Sequence, residues 1–209
     1  MIASVREHHQ RAQEKLSQKG AFVDVIKDVA DRERMEAYSN NFFDYFPGNF
    51  NKLDGVIYAV GHCPPNGFPE AVKYPLSQLP LERYLNEINM HQVGVLNVFQ
   101  CMLKNLKDGG CFVFISSAIT RLKGQFPPFL QAHHYASAIS AKDWLVEGMR
   151  HDPITTRRRI KVHRLAPVAV DSPFFDGSPR PPEIIPISTV VDEIVLALES
   201  EEIVDKQIT

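Results

Sequence analysis

Nearly continuous apolar runs divide this chain into regular segments. Four runs rich in Val, Ile and Phe predict strands: AFVDVI (21–26), LDGVIYAVG (53–61), CFVFISS (111–117) and IKVHRLAPVAV (160–170). Apolar and polar residues do not alternate within these runs. That pattern is typical of strands buried on both faces of a parallel sheet.

Helical patterns lie before and between the strands, at about 4–18, 32–46, 79–106 and 133–151. This alternation predicts an α/β fold, a doubly wound and mostly parallel sheet built from right-handed βαβ units. We expect a single domain over residues 1–209. Ligands of such sheets bind beyond the carboxyl ends of the strands, where the loops AVGHCPPNG, SSAITRLKG and APVAVDSPFF follow.

Composition narrows the class of function. The chain has 23 Lys and Arg against 25 Asp and Glu, a net charge of −2, which gives no global field toward nucleic acid. No apolar run reaches the length of a membrane span, and the charged N-terminus is no secretory signal. Three cysteines without a CxxC pair predict free thiols in a reducing cytosol. We therefore expect a cytoplasmic protein with a small-molecule substrate, no nucleic-acid or membrane partner and no metal site.

Candidate chemical groups lie near the predicted strand ends. Ser116 and Ser117 end the third strand, Tyr135 begins the helix after it, and Asn89 lies in the helix before it. Each has an ordinary structural explanation when taken alone. Their joint occurrence around one strand of a doubly wound sheet makes a shared site the stronger hypothesis.

From about residue 20 to 205 the chain resembles the short-chain dehydrogenase/reductases. The resemblance is carried, in order, by the segments IKDVADRERMEA, DGVIYAVG, EINMHQVGVLNVF, GGCFVFISS, HHYASAISAKDWLVEGM and LAPVAVDSPFF. It implies a Rossmann-like fold that often assembles into homo-oligomers. It also implies hydride transfer between NAD or NADP and a carbonyl or alcohol.

The resemblance also implies roles for individual residues. Ser117 would hold the substrate oxygen, Tyr135 would give or take its proton, and Asn89 would complete a proton relay through water. The positions that would contact the cofactor are Asp28, Ala59, Gly61, Pro167 and Ser172.

The lysine of the family's Tyr-x-x-x-Lys motif is missing. That lysine lowers the pKa of the tyrosine and holds the cofactor ribose, and its position is Ile139 here. Lys142 follows two helical turns after Tyr135, and we predict that it is solvated. Other cations that would reach the phenol are His133, His134, Arg121 and Lys123.

The glycine-rich turn for the cofactor pyrophosphate is also missing. None of the eleven glycines forms G-x-G-x-x-G or G-x-x-x-G-x-G. We predict that the family's first βαβ portion is absent, so that the chain begins in the helix before the third strand. We also predict that it stops short of the last strand. The basic run TTRRRIK (155–161) predicts a solvated turn.

Three hypotheses follow. The protein is a degenerate oxidoreductase with weak or no NAD(P) binding, or a non-redox isomerase, lyase or cyclase, or a catalytically inactive binding or dimerisation module. In the non-redox hypothesis Ser117 and Tyr135 polarise a carbonyl and the substrate fills the cofactor cleft. The absent glycine-rich turn favours the last two hypotheses, whereas the retained Asn, Ser and Tyr favour the first two.

Overall fold

The computed structural model describes residues 2–5, 22–25, 28–45, 51–61, 73–121, 132–172, 175, 180–181 and 183–209. The strands are β1 (Ile2–Val5), β2 (Phe22–Val25), β3 (Leu53–Tyr58), β4 (Leu106–Ile115), β5 (Lys161–Pro167), β6 (Ala169–Asp171), β7 (Ile184–Pro186) and β8 (Asp205–Ile208). The α-helices are α1 (Arg32–Asn40), α2 (Leu81–Ile88), α3 (Gly94–Met102), α4 (His133–Arg150), α5 (Pro153–Arg158) and α6 (Ile187–Glu199).

The largest sheet has four parallel strands in the order β3-β4-β5-β8. The predicted parallel α/β fold is therefore confirmed, and three of the predicted strands, β3, β4 and β5, are neighbours in this sheet. The expectation that the last strand is lacking was wrong, because Asp205–Ile208 pairs with Arg164–Pro167 along β5.

A second parallel pair joins β1 to β2, with Ile2 opposite Phe22. The prediction of a helix from residue 4 was therefore wrong at its start, because Ser4 and Val5 belong to β1. The expectation that the chain begins in a helix was wrong for the same reason. Most of that predicted helix lies outside the described residues.

Both faces of the four-stranded sheet are buried, as the continuous apolar runs predicted. Phe112 and Phe114 of β4 pack into a core with α1, α3 and α4. Cys111 and Val113 of the same strand pack on the opposite face, against Val190 and other residues of α6. Successive residues of β4 therefore contribute alternately to two cores, one on each face of the sheet.

The predicted helix at 79–106 consists of α2, a π turn at Asn89–Val93, α3 and a final 3-10 turn. Gly94 follows the π turn, and a Cβ there would lie 2.6 Å from Val29 and 2.8 Å from the Tyr58 hydroxyl. Glycine thus permits a close approach that any larger residue would prevent. Among the described residues, no helix has the length and apolar content needed to cross a membrane.

The basic run 155–161 is largely helical rather than the turn that we predicted, although Thr156, Arg157 and Arg159 are exposed as expected. Asp152 caps α5 through its side chain, and α5 covers the first part of the run. Arg158 donates to the Leu103 carbonyl at 2.6 Å and to the exposed Asp108 carboxylate at 2.6 Å. Arg158 therefore fastens α5 to the start of β4.

Candidate active site

Ser117 and Tyr135 are brought together beyond the carboxyl end of β4. Ser117 follows β4 by two residues and precedes a 3-10 turn at Ala118–Arg121, and Tyr135 lies in the first turn of α4. A side-chain hydrogen bond joins the Tyr135 phenol and Ser117. The two hydroxyl groups therefore form one polar unit at the sheet edge where ligands bind in this class of fold.

The environment keeps the Tyr135 phenol protonated. Burial and, to a smaller extent, the Glu87 carboxylate raise the pKa of Tyr135 to about 12, although the hydrogen bond with Ser117 acts in the opposite direction. Loss of water around the ring disfavours the phenolate. At neutral pH Tyr135 is therefore a hydrogen-bond and proton donor rather than a base.

Asn89, the third predicted catalytic residue, is exposed at the start of the π turn. The residue of this turn that contacts Tyr135 is His91, which is buried. The two rings pack edge to face, with their centroids 5.5 Å apart and their planes at 75°. Sequence reasoning passed over His91, and the only signal was the i,i+4 spacing of Glu87 and His91 on one helix face.

The position of the missing lysine is filled by an apolar residue. Ile139 is 1% exposed and lies one helical turn after Tyr135. No ammonium can reach the phenol from this position. The described residues therefore do not reproduce the feature that, by resemblance, would hold the cofactor ribose.

Lys142 is buried, contrary to the prediction that it is solvated. It is 1% exposed, and its Nζ donates to the Ile115 carbonyl at 2.7 Å. Burial lowers the pKa of Lys142 to about 8, although Asp143 and Glu87 both favour its charged form. The lysine thus ties α4 to the end of β4. Lys123 lies outside the described residues.

Ser116 belongs to a separate polar network that sequence reasoning did not find. Its hydroxyl donates to Asp143 at 2.6 Å, and the same carboxylate accepts from Arg164 at 2.6 Å. Arg164 and Arg150 both donate to Asp205 of β8. Burial opposes the charge of Asp205, but these arginines outweigh it and lower the pKa of Asp205. The adjacent serines therefore serve different purposes: Ser116 joins this network and Ser117 joins Tyr135.

The residues expected to contact a cofactor lie near the carboxyl ends of four strands. Asp28 follows β2, is exposed, and accepts from the Ala30 amide at 2.8 Å. Ala59 and Gly61 follow β3, and both are exposed. Pro167 is the buried last residue of β5, and Ser172 is half-buried directly after β6.

Solved structures share this fold. A short-chain dehydrogenase from Burkholderia cenocepacia in complex with NADP is 18% identical with a TM-score of 0.76, and the match covers 99% of this chain and 84% of that one. An alcohol dehydrogenase from Thermococcus sibiricus, complexed with 5-hydroxy-NADP, is 18% identical with a TM-score of 0.71. There the match covers 99% of this chain and 83% of the other. Identities of this size show the fold alone.

A sequence comparison gives the family. No curated protein sequence matches the chain. The family model described as short chain dehydrogenase matches residues 1–181, which is most of the chain. The resemblance predicted from the six segments is therefore confirmed, and the protein belongs to the short-chain dehydrogenase family.

Proposed function

We propose that the Ser117–Tyr135 pair binds and polarises the oxygen of a small carbonyl substrate, in an oxidoreductase that binds NAD(P) weakly. The interaction between the two side chains carries this proposal, because it brings both hydroxyls together at the sheet edge. Membership of the dehydrogenase family supports the redox class of reaction. The NADP named with two similar structures supports this kind of cofactor.

The protonation state of Tyr135 favours one direction of reaction. A phenol whose pKa is about 12 donates a hydrogen bond or a proton to a carbonyl oxygen at neutral pH. Deprotonation of an alcohol would require the phenolate, which is scarce well below that pKa. We therefore expect activity on carbonyl compounds to exceed activity on alcohols.

The residues around the phenol do not fit a tightly held nicotinamide ribose. Ile139 occupies the lysine position, and Lys142 donates to a backbone carbonyl instead. Among the described residues, no atom lies within 4 Å of a Cβ added at the exposed Gly61. The apolar Ile139 at the position of the lysine that would hold the ribose therefore supports weak binding.

A non-redox reaction on the same pair is the second candidate. The buried Ile139 favours it, because a carbonyl-polarising donor pair needs no lysine beside it. Elimination or isomerisation next to a carbonyl would use Ser117 and Tyr135 to stabilise a developing enolate oxygen.

Cofactor titration combined with carbonyl turnover tests the proposal. NADH and NADPH are titrated by calorimetry, and aldehydes, ketones and enones are assayed with and without cofactor. We expect dissociation constants far above the low micromolar range. We also expect Tyr135→Phe to reduce turnover about 100-fold or more, whereas Tyr84→Phe, a half-buried tyrosine on α2, leaves it unchanged.

Each part of the proposal has its own contradicting result. Low micromolar cofactor affinity would overturn the weak binding. Full turnover by Tyr135→Phe would remove Tyr135 from the chemistry. Turnover that is equally fast without cofactor would establish the non-redox candidate instead.

A further inference from the structure

A buried pair of titratable residues lies behind Tyr135. Glu87, in the last turn of α2, and His91, in the π turn, are 4% and 1% exposed. Their side chains meet with His91 Nε2 3.3 Å from Glu87 Oε2. Burial of a carboxylate costs free energy unless a partner compensates it. The imidazole of His91 is close enough to Glu87 to act as such a partner.

The π turn explains how His91 reaches Tyr135. A π turn holds one more residue per turn than an α-helix, so it changes the direction of the side chains that follow. The Tyr58 hydroxyl donates to the Met90 carbonyl at 2.6 Å, which fastens this turn to β3. The His91 ring then packs edge to face on the Tyr135 ring.

We propose that Glu87 and His91 are a positioning pair for Tyr135: Glu87 orients the His91 ring, and His91 holds the phenol on Ser117 as a protonated donor. The inference rests on the proposed function only in making Tyr135 the donor. The pair differs from the lysine that the family has at the position of Ile139. It fixes the Tyr135 ring by packing, and its charge favours the phenol over the phenolate.

Charges from every packed element bear on this assignment. On the side of α2 and the π turn these are Glu87 and His91. On the side of α4 they are the buried His134 and Lys142, with Asp143 beside them. Glu87 influences both Tyr135 and Lys142, raising the pKa of each. Its negative charge is therefore the feature that an isosteric variant should test.

Fluorine NMR of the 209-residue chain tests the pair without substrate or cofactor. Tyrosine is replaced by difluorotyrosine, whose lower intrinsic pKa brings ionisation into a range where the protein is folded. The Tyr135 signal is assigned by its loss in Tyr135→Phe. We expect Glu87→Gln to move the Tyr135 ionisation to lower pH, because one nearby negative charge is gone. Glu82→Gln, an exposed glutamate on the same helix, should leave it unchanged.

Variants of His91 separate packing from charge. His91→Ala removes the ring, and we expect the Tyr135 signal to shift and broaden. His91→Phe restores the ring and should restore the narrow signal. If Glu87→Gln does not fold, Glu87→Met removes the charge with an apolar chain of similar volume, and the same shift is expected.

Two results would overturn the inference. One is an unchanged Tyr135 ionisation in a folded Glu87→Gln or Glu87→Met protein. The other is a Tyr135 signal that His91→Ala leaves unaltered. Neither measurement depends on turnover, so a failure here is distinguishable from a failure of the proposed carbonyl chemistry.

Discussion

Helix α4 carries two polar regions with opposite electrostatic designs. On one face of the helix, Tyr135 and Lys142 lie where burial is the largest influence on the pKa of both groups. On a neighbouring face, Asp143 and Arg150 form ion pairs with Arg164 and Asp205. There each charge has a partner of opposite sign.

The difference shows what decides the protonation state of a buried group. The hydrogen bond of Lys142 goes to a neutral backbone carbonyl at 2.7 Å, and the pKa of Lys142 falls to about 8. Arg164 is also largely buried, but hydrogen bonds with Asp205 and Asp143 outweigh its burial, and its pKa is raised. Burial disfavours the charged form of both groups. A hydrogen-bond partner of opposite charge therefore determines whether the effect of burial prevails.

Placing a charge on the face of α4 that carries Tyr135 and Lys142 should give the largest effect. Ile139→Lys buries an ammonium where the wild type has an apolar core residue. We expect a loss of about 4 kcal/mol of unfolding free energy and no gain of NAD(P)H turnover. Urea denaturation measures the first, and an absorbance assay with ketones measures the second. Ile139→Met is the matched apolar control, with a loss below about 1.5 kcal/mol.

The contrary results for Ile139→Lys are distinct. Wild-type stability would mean that the site hydrates or pairs a new ammonium easily. Clear cofactor-dependent turnover would mean that only the lysine was missing from a competent dehydrogenase.

The pH dependence of stability tests whether Lys142 is buried, when the wild type is compared with a variant that lacks its charge. Its pKa is about 8 in the folded protein against 10.5 for an exposed lysine. The unfolded chain therefore binds more protons between these values, so stability rises with pH in this window. The full effect is about 3 kcal/mol. We expect the wild type to gain stability relative to Lys142→Met as the pH rises above 8, measured by urea denaturation.

Lys107→Met provides the control for Lys142, because Lys107 is exposed and pairs with the exposed Asp54. Its stability should follow the wild type over the same pH range. If the stabilities of Lys142→Met and the wild type also change in parallel with pH, Lys142 titrates like a solvated lysine. The description of this lysine as buried would then be wrong.

How much of the fold the sequence could predict depends on where each element is buried. β4 and β5 were predictable because both faces are covered, which leaves uninterrupted apolar runs. β8 was not, since DKQI has only Ile208 buried and gains its partner from β5. Helix α6 was not predicted because its Ile and Val content resembles that of a strand.

The candidate site was predictable only where a local motif carried it. Ser117 and Tyr135 follow from segments of the family pattern. Neither the burial of Lys142 nor the contact of His91 with Tyr135 has a local signal, because both depend on how α4 packs against the π turn and the end of β4. Three-dimensional contacts of this kind are independent of sequence spacing.

The ion-pair region can be broken at Asp143. Asp143→Ala leaves the Ser116 hydroxyl and one side of the Arg164 guanidinium without their acceptor. We expect a loss of about 2 kcal/mol of unfolding free energy, measured by thermal and urea denaturation. Asp54→Ala, which removes a surface ion pair, should cost far less. An equal loss in both variants would contradict a special role for the network around Asp143.

The smallest expected effect tests whether pairing or burial makes this network stable. Glu147 accepts from Arg150 at 2.7 Å and lies 3.0 Å from His151, but its side chain is 45% exposed. The hydrogen bond from Arg150 lowers the pKa of Glu147, so the pair is charged at neutral pH. Exposed pairs of this kind contribute little, because water and salt screen them and because both side chains lose freedom. We expect Glu147→Gln to change the unfolding free energy by less than about 0.5 kcal/mol, with the difference vanishing at high salt.

Arg150 should remain in place through Asp205 and the Val162 carbonyl, both within 2.9 Å. A loss comparable to that of Asp143→Ala would show that the exposed and enclosed pairs act as one unit, and that burial is not what separates the two regions of α4.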